Sequence, residues 1–272
     1  MSSPSAVLFD LDNTLLLEDE VTFGAVRTAC ERAAERADRE RLFAAVLRIA
    51  DDLWRAAPTL AYADRMGIWW GEGLWGEFKG DGDGLHALRE FVPGFRREVW
   101  RDALADCGVV DSDLAVDLDE VYRHARRAGE LVDPDAGAVL DDLARDHRLA
   151  LVTNGAPDVQ REKLARAALT HYFAAIVISA EIDVGKPDPR IFTAALDAIG
   201  ATADAAVMIG DSLPRDIRGA HNAGLRSIWV DRGHVVSKAD DPTPDARVAA
   251  LSQIRSCLDE WEPDAASPRG SP

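Results

Sequence analysis

The sequence has little of what a cross-linked, membrane-spanning or nucleic-acid-binding protein needs. Its 272 residues include only three cysteines, Cys30, Cys107 and Cys257. They are odd in number and too far apart to form a metal-ligand cluster, a usage that fits a reducing, cytoplasmic setting. No apolar run approaches the ~20 residues that span a bilayer. The first residues, Met1-Ser-Ser-Pro-Ser, show no basic region followed by an apolar core, so no signal peptide is expected. Positive charge is scarce, with 31 Lys and Arg against 48 Asp and Glu, a net charge of -17. Nucleic acid and anionic membrane surfaces both require a basic footprint and are excluded as partners on this ground. A small phosphorylated substrate is not excluded, because local cations decide its binding rather than the global sum.

What is present is enough apolar material for a substantial core, 47% of the residues, and one short stretch around which the chain is organised, Ala6-Val7-Leu8-Phe9-Asp10-Leu11-Asp12-Asn13-Thr14-Leu15-Leu16. A continuous apolar run that turns acidic reads as a strand buried on both faces, ending in carboxylates. With strand geometry, Asp10 and Asp12 point to the same side. They sit at the strand's C-terminal end, where open parallel sheets bind ligands. Two such carboxylates call for a cation, a shared proton or a chemical task.

Beyond residue 17 the periodicity changes from strand to helix for over a hundred residues. Helical apolar spacing covers 21–37, 39–57, 93–107 and 113–128, and no convincing strand lies between residues 18 and 129. The Trp- and Gly-rich segment 66–78, with Trp69, Trp70 and Trp75, reads as packing of a small helical core or a dimer contact. An aromatic surface facing a sugar or ring is the alternative. The Lys79-Gly-Asp-Gly-Asp-Gly84 run lacks the spaced glutamate of a calcium loop and reads as a turn.

From residue 135 strands and helices alternate, the signal of a parallel sheet with crossover helices. Strands are expected at 149–153, 175–178, 206–209 and 227–230. Helices are expected at 138–146, 157–168, 189–199, 214–223 and 245–261. The polar, Pro-rich tail 263–272 is expected to be disordered. Three strand ends carry further polar groups. Thr153-Asn154-Gly155 runs into a helix N-terminus, where side-chain donors and free N–H groups suit an anion. Lys186 stands in Gly185-Lys186-Pro187-Asp188-Pro189, before a turn into a helix. Gly210-Asp211-Ser212 ends another buried strand, with Asp216 in the first turn that follows.

These four segments, in this order, resemble the motifs of the haloacid dehalogenase (HAD) superfamily, in its phosphatase branch: Asp-x-Asp-x-Thr at Asp10, Asp12 and Thr14; the Thr153 loop; Lys186; and Gly-Asp-Ser-x-x-x-Asp at Asp211, Ser212 and Asp216. The run Thr153-Asn154-Gly155 with Gln160, Lys163 and Lys186-Pro187 is most similar to the N-acylneuraminate-9-phosphatase and pyrimidine-nucleotidase group. The resemblance implies an α/β fold, a Rossmann-like parallel sheet flanked by helices. It also implies an inserted all-helical cap: core at 1–17 and 131–262, cap at 18–130. It further implies a magnesium-dependent phosphatase acting on a small phosphorylated metabolite, a sugar phosphate or a nucleotide-like compound. Asp10 would be the nucleophile and Asp12 the acid and base. Thr153, Asn154, Gly155 and Lys186 would bind phosphate. Asp10, Asp211 and the backbone carbonyl of Asp12 would hold Mg2+, supported by Thr14, Ser212 and Asp216. A dehalogenase needs no acid at position 12, so the carboxylate there argues for the phosphatase. A phosphomutase and a non-catalytic binding protein stay open, as does the choice of monomer or homodimer.

Overall fold

The computed structural model describes residues 4–129, 132–233 and 238–261. Six parallel strands form one sheet: β1 (Ala6–Phe9), β2 (Arg148–Thr153), β3 (Ala175–Ile178), β4 (Ala206–Gly210), β5 (Arg226–Val230) and β6 (Ala246–Val248). Their spatial order is β3-β2-β1-β4-β5-β6. The chain leaves β1 for β2 and β3 on one side, then crosses back to β4 on the other. β1 therefore lies at the point where strand order reverses, and its C-terminal end opens into a crevice.

The apolar run at residues 6–9 is explained by burial on both faces. Val7 and Phe9 pack with Leu149, Leu151, Val207 and Ile209 on one face, and Ala6 and Leu8 pack with Ala150, Val152 and Met208 on the other. In register, Leu8 stands opposite Ala150 on one side and Met208 on the other. Each large apolar side chain buried this way contributes roughly 1.5–3 kcal/mol.

Among the described residues, the stretch 18–129 holds only helices: α1 (Glu18–Arg32), α2 (Arg39–Arg55), α3 (Leu60–Met66), α4 (Trp70–Gly73), α5 (Asp83–Asp106) and α6 (Ser112–Ala128). They share one apolar core, which extends onto Ala156 and Val159 beside β2. The two chain crossings between this unit and the sheet lie side by side. Leu16 bridges to Val132, and the Asp133 amide donates to the Leu15 carbonyl at 2.9 Å. Arg232 clamps both, pairing with Asp133 at 2.7 Å and donating to the Thr14 carbonyl at 2.8 Å.

The Trp-rich segment is mostly core. Trp70 and Trp75 are buried among the helices, whereas Trp69 is only partly buried. The glycines make room for rings. A Cβ at Gly71 would meet the Trp69 ring at 2.5 Å, and one at Gly73 the Trp54 ring at 2.4 Å.

After the insertion come α7 (Ala136–Leu143), α8 (Pro157–Arg166), α9 (Ser179–Ile182), α10 (Pro189–Ile199), α11 (Arg218–Ala223) and α12 (Ile254–Asp259). Two expectations are corrected. The span 245–261 is not one helix: it holds edge strand β6, a short 3-10 turn and α12. Residues 246–248 are a three-residue edge pairing with β5, too short and too exposed for an apolar pattern to announce. Helix α5 begins ten residues before Pro93 and runs through it. A proline inside a helix costs about 3 kcal/mol. Leu85 and Leu88 before it and Val92 and Phe95 around it are all buried, and that burial outweighs the cost. The tail 263–272 lies outside the described residues.

Candidate active site

The ends of β1, β2 and β4 converge on a cavity of about 200 Å3. Asp10 is the first residue past β1, and its amide still donates to the Ile209 carbonyl of β4 at 2.9 Å. That bond carries strand geometry one residue beyond the sheet and fixes the side chain at the rim. The Asp10 carboxylate is buried. Lys186 Nζ donates to Oδ1 at 2.5 Å, and the Thr14 hydroxyl donates to Oδ2 at 3.2 Å, with Asp211 Oδ1 at 3.5 Å. Lys186 also pairs with Asp216 at 2.7 Å. Asp216 in turn accepts from the Ser212 amide at 2.9 Å, closing the turn after β4. Gly210 is required here, because a Cβ would fall 2.3 Å from Asp216 Oδ2.

Asp10, Asp211 and Asp216 can each present a carboxylate oxygen within 4.8 Å of the others. One lysine does not balance three carboxylates. Burial, outweighing the pull of Lys186 and reinforced by Asp216 and Asp12, pushes the Asp10 carboxyl up to about 7. Burial and then Asp10 and Asp216 hold Asp211 well above the ordinary carboxylate range. Burial by itself would lower the Lys186 ammonium, but Asp10 and Asp216 reverse that and keep it charged. An all-oxygen donor set short of positive charge fits a hard divalent cation such as Mg2+.

Asp12 does not turn its carboxylate toward this cluster. The left-handed Asn13, with φ of 58°, ends the strand path, and Asp12 reaches across to α8. Gln160 Nε2 donates to Oδ2 at 2.8 Å, and Lys163 Nζ contacts the two oxygens at 3.0 and 3.1 Å. Lys163 is fully buried and also meets Glu72 at 3.2 Å and Glu18 at 3.3 Å. Glu18 is held in turn by Arg126 at 2.7 Å, whose guanidinium lies 4.7 Å over the Trp75 ring. Burial alone would lower Lys163, and the carboxylates of Asp12, Glu18 and Glu72 more than reverse it. Burial, only partly offset by Lys163, pushes Glu72 up to about 7. Glu18 starts α1, Glu72 lies in α4 and Arg126 near the end of α6. This second network therefore joins the helical unit to the sheet through the side chain of Asp12.

The remaining expected residues serve the loops. The Thr153 hydroxyl accepts from Gln160 Nε2 at 2.7 Å and donates to the Asn154 carbonyl at 3.3 Å. Asn154 accepts from the Lys186 amide at 2.8 Å and donates to the Lys186 carbonyl at 3.1 Å, so it pins the lysine loop to the β2 loop. Gly155 directs its amide to the start of α9. That N–H donates to Ser179 Oγ at 2.9 Å, and the glycine also lets Gln160 approach, since a Cβ would meet that side chain at 2.8 Å. Glu18, Glu72 and Arg126 carried no sequence signal of their own. Gln160 and Lys163 were visible only through the family resemblance.

Comparison with known proteins agrees with this architecture. Residues 4–224 match the family model described as haloacid dehalogenase-like hydrolase. The chain is similar to the phosphoserine phosphatase of Thermus thermophilus, at 40% identity over 251 residues, covering 91% of this chain and 96% of that one. It is similar to the human N-acylneuraminate-9-phosphatase at 30% identity over 177 residues, 64% of this chain and 71% of that one. In structure it is similar to the HAD-hydrolase YfnB from Bacillus subtilis, solved bound to magnesium, with a TM-score of 0.65 over 95% of this chain and all of that one. At 21% identity this last likeness bears on the fold alone.

Proposed function

Since the chain belongs to the haloacid dehalogenase-like hydrolases, and among them to the phosphoric monoester hydrolases, we propose that it is a magnesium-dependent phosphatase of a compact metabolite working through an aspartyl-phosphate. The observation that carries this reading is the division of labour between the two carboxylates of the first motif. Asp10 faces Lys186 and Asp211, whereas Asp12 is held two residues away by Gln160 and Lys163.

Asp10 attacks phosphorus as the bond to the leaving oxygen breaks, giving an acyl phosphate on its carboxylate. Asp12 gives the leaving oxygen a proton, then takes one from the water that attacks the phosphoryl group and frees Asp10. Lys186 neutralises charge on the transferred group, where the transition state spreads it. Asp10, Asp211 and the backbone carbonyl of Asp12 would hold Mg2+, because the Asp12 side chain is engaged with α8. When bound, the ion supplies the positive charge that lets an anion approach a phosphate. The helical unit 18–130 acts as the cap: it covers the site and contributes Trp69 and Glu72 to the cavity wall. Halide departure needs no proton, so an acid held by Gln160 and Lys163 favours ester hydrolysis over dehalogenation.

At about 200 Å3 the cavity is smaller than the ~300–1,000 Å3 usual for drug-sized ligands. A compact ester therefore fits better than a nucleotide or long sugar, and the similarity to a phosphoserine phosphatase puts phosphoserine first among candidates. The test is release of inorganic phosphate by the purified chain with Mg2+, across phosphorylated amino acids, glycerates, sugars and nucleotides. One preferred ester, silenced by chelator and restored by Mg2+, is expected. Turnover that conserves total phosphate ester would instead mean a mutase, and no turnover of any member would reject the reading.

A further inference from the structure

The cavity is lined by seven carboxylates and only two cations, Lys186 and Arg215. Lys186 is fully engaged by Asp10 and Asp216. Arg215 is not. Among the described residues its guanidinium pairs with no carboxylate, and its one hydrogen bond is a long 3.5 Å contact from Nη1 to the Asp64 carbonyl. The neighbouring arginines of the helical unit are spent: Arg65 pairs with Asp183 at 2.9 Å, and Arg126 with Glu18. An arginine left without an anion beside so many carboxylates stands out in a chain with a net charge of -17.

Space has been kept for it. Arg215 follows β4 in the turn that carries Asp211 and Asp216, so its backbone is fixed by the catalytic loop itself. Its Nη1 reaches across to the helical unit at Gly67, where a Cβ would lie 2.8 Å from Nη1 and 2.6 Å from the Asn154 Cβ. Gly67 is left-handed, with φ of 73°, and has no side chain to block the approach. The guanidinium therefore sits at the seam between sheet and helical unit, on the cavity wall, with donors unspent.

We propose that Arg215 is the specificity residue of this site, and that it reads a carboxylate carried by the leaving group of the substrate. This rests on the phosphatase reading above and names its substrate class: a small phosphomonoester of a carboxylic acid. A second negative charge on the leaving group is repelled by the seven carboxylates of the cavity wall, and Lys186 is already engaged by Asp10 and Asp216. It has one place to go, opposite a planar fork that can hold it through two parallel N–H bonds. A leaving group that also bears an ammonium fits better still, because the exposed Asp19 and the buried Glu72 line the same cavity. The amino acid esters, zwitterionic in this way, are thereby favoured over the phosphoglycerates.

The test uses pairs of esters that differ only in the carboxylate, phosphoserine with phosphoethanolamine and 3-phosphoglycerate with ethylene glycol phosphate. For the Mg2+-loaded wild-type chain, kcat/KM is expected to be higher for the carboxylated member of each pair. In Arg215→Gln that ratio falls about 30-fold, the size of a charge-assisted hydrogen-bond pair. Arg215→Lys, which keeps the charge but loses the fork, recovers part of it. A binding measurement stands beside turnover. Calorimetry on Asp10→Asn, with and without Arg215→Gln, compares phosphoserine with phosphoethanolamine, and only the former should lose affinity. Equal losses for both members of a pair would place Arg215 on the phosphate and overturn the proposal, as would a wild-type chain indifferent to the carboxylate. If the wild type releases no phosphate from any ester while calorimetry still discriminates, the phosphatase reading fails and the role of Arg215 stands.

Discussion

Two buried lysines, each ringed by carboxylates, lie on either side of the first motif, and they are balanced differently. Around Lys186 stand Asp10, Asp211 and Asp216, three carboxylates with one cation. Around Lys163 stand Asp12, Glu18 and Glu72, but Arg126 joins them, so three carboxylates meet two cations. The residue types are the same and the burial is similar. The first cluster is left short of positive charge, and burial together with the neighbouring carboxylates pushes the carboxyls of Asp10 and Asp211 up. The second is nearly self-neutral and ties together elements far apart in the chain. A deficit of charge marks a place that waits for a cation and a phosphate. A near balance marks a joint. Asp10 belongs to the first and Asp12 to the second, so one short loop connects the reacting centre to the part that covers it.

The largest effect expected is on Asp10. Asp10→Asn should lower phosphate release by roughly 10^4-fold or more, as loss of a nucleophile does. Its melting temperature should not fall, because a carboxyl crowded by Asp211 and Asp216 is removed. Calorimetric scans and phosphate assays on the same sample check both halves. Lys163 should behave in the opposite sense. Lys163→Met leaves Asp12, Glu18 and Glu72 facing one another in a buried space, at a cost of about 3–5 kcal/mol, readable in urea unfolding. Its effect on turnover should depend on the leaving group. Alkyl phosphates, which need a proton from Asp12, should lose far more than p-nitrophenyl phosphate, whose leaving group needs none. Equal losses for both would mean that Lys163 only holds the fold.

The sequence exposed these two clusters unequally, and for physical reasons. Asp10 and Asp211 each follow an apolar run and Lys186 stands between Gly185 and Pro187, local signals that survive without a structure, and the strands at 149–153, 175–178, 206–209 and 227–230 announced themselves in the same way. The partnership of Glu18, Glu72, Arg126 and Lys163 joins residues tens of positions apart, on helices whose periodicity says only which face is buried. Charged residues at such positions read as solvated until folding brings them together. Arg215 was passed over for the same cause: nothing local distinguishes an arginine with no anionic partner from one that has found one. Pro93 misled in the other direction, because local propensity marked a helix start where buried leucines on both sides carry α5 through. Strand β6 was hidden by its brevity, since three residues at a sheet edge leave no alternation to detect.

The difference in charge balance also predicts where a cation acts. Mg2+ should stabilise the folded chain at the first cluster only. At a hundredfold excess over its dissociation constant the gain is about 2.7 kcal/mol, or on the order of 5 °C in melting temperature for a chain of this size. Asp211→Asn should erase most of that shift, and Glu72→Gln should leave it in place. A Mg2+ response that vanished in Glu72→Gln would collapse the distinction between the two sites.

The smallest effect concerns Glu72 itself and is read as a slope in pH. Its carboxyl titrates near 7 in the folded chain, against about 4.3 when unfolded. Between those values the folded form keeps a proton that the unfolded form has released. The contribution to stability is therefore fully present below about pH 4.3 and is lost as pH rises through 7. Glu72→Gln cannot ionise and lacks this loss. The pull of Lys163 on the ionised carboxylate is already contained in that folded value. The informative quantity is thus the difference in unfolding free energy between wild type and variant as a function of pH. From pH 5 to pH 8 the wild type should lose about 1–3 kcal/mol relative to Glu72→Gln. A flat difference would mean that Lys163 keeps Glu72 ionised across the whole range, and that the joint is balanced more completely than its burial implies.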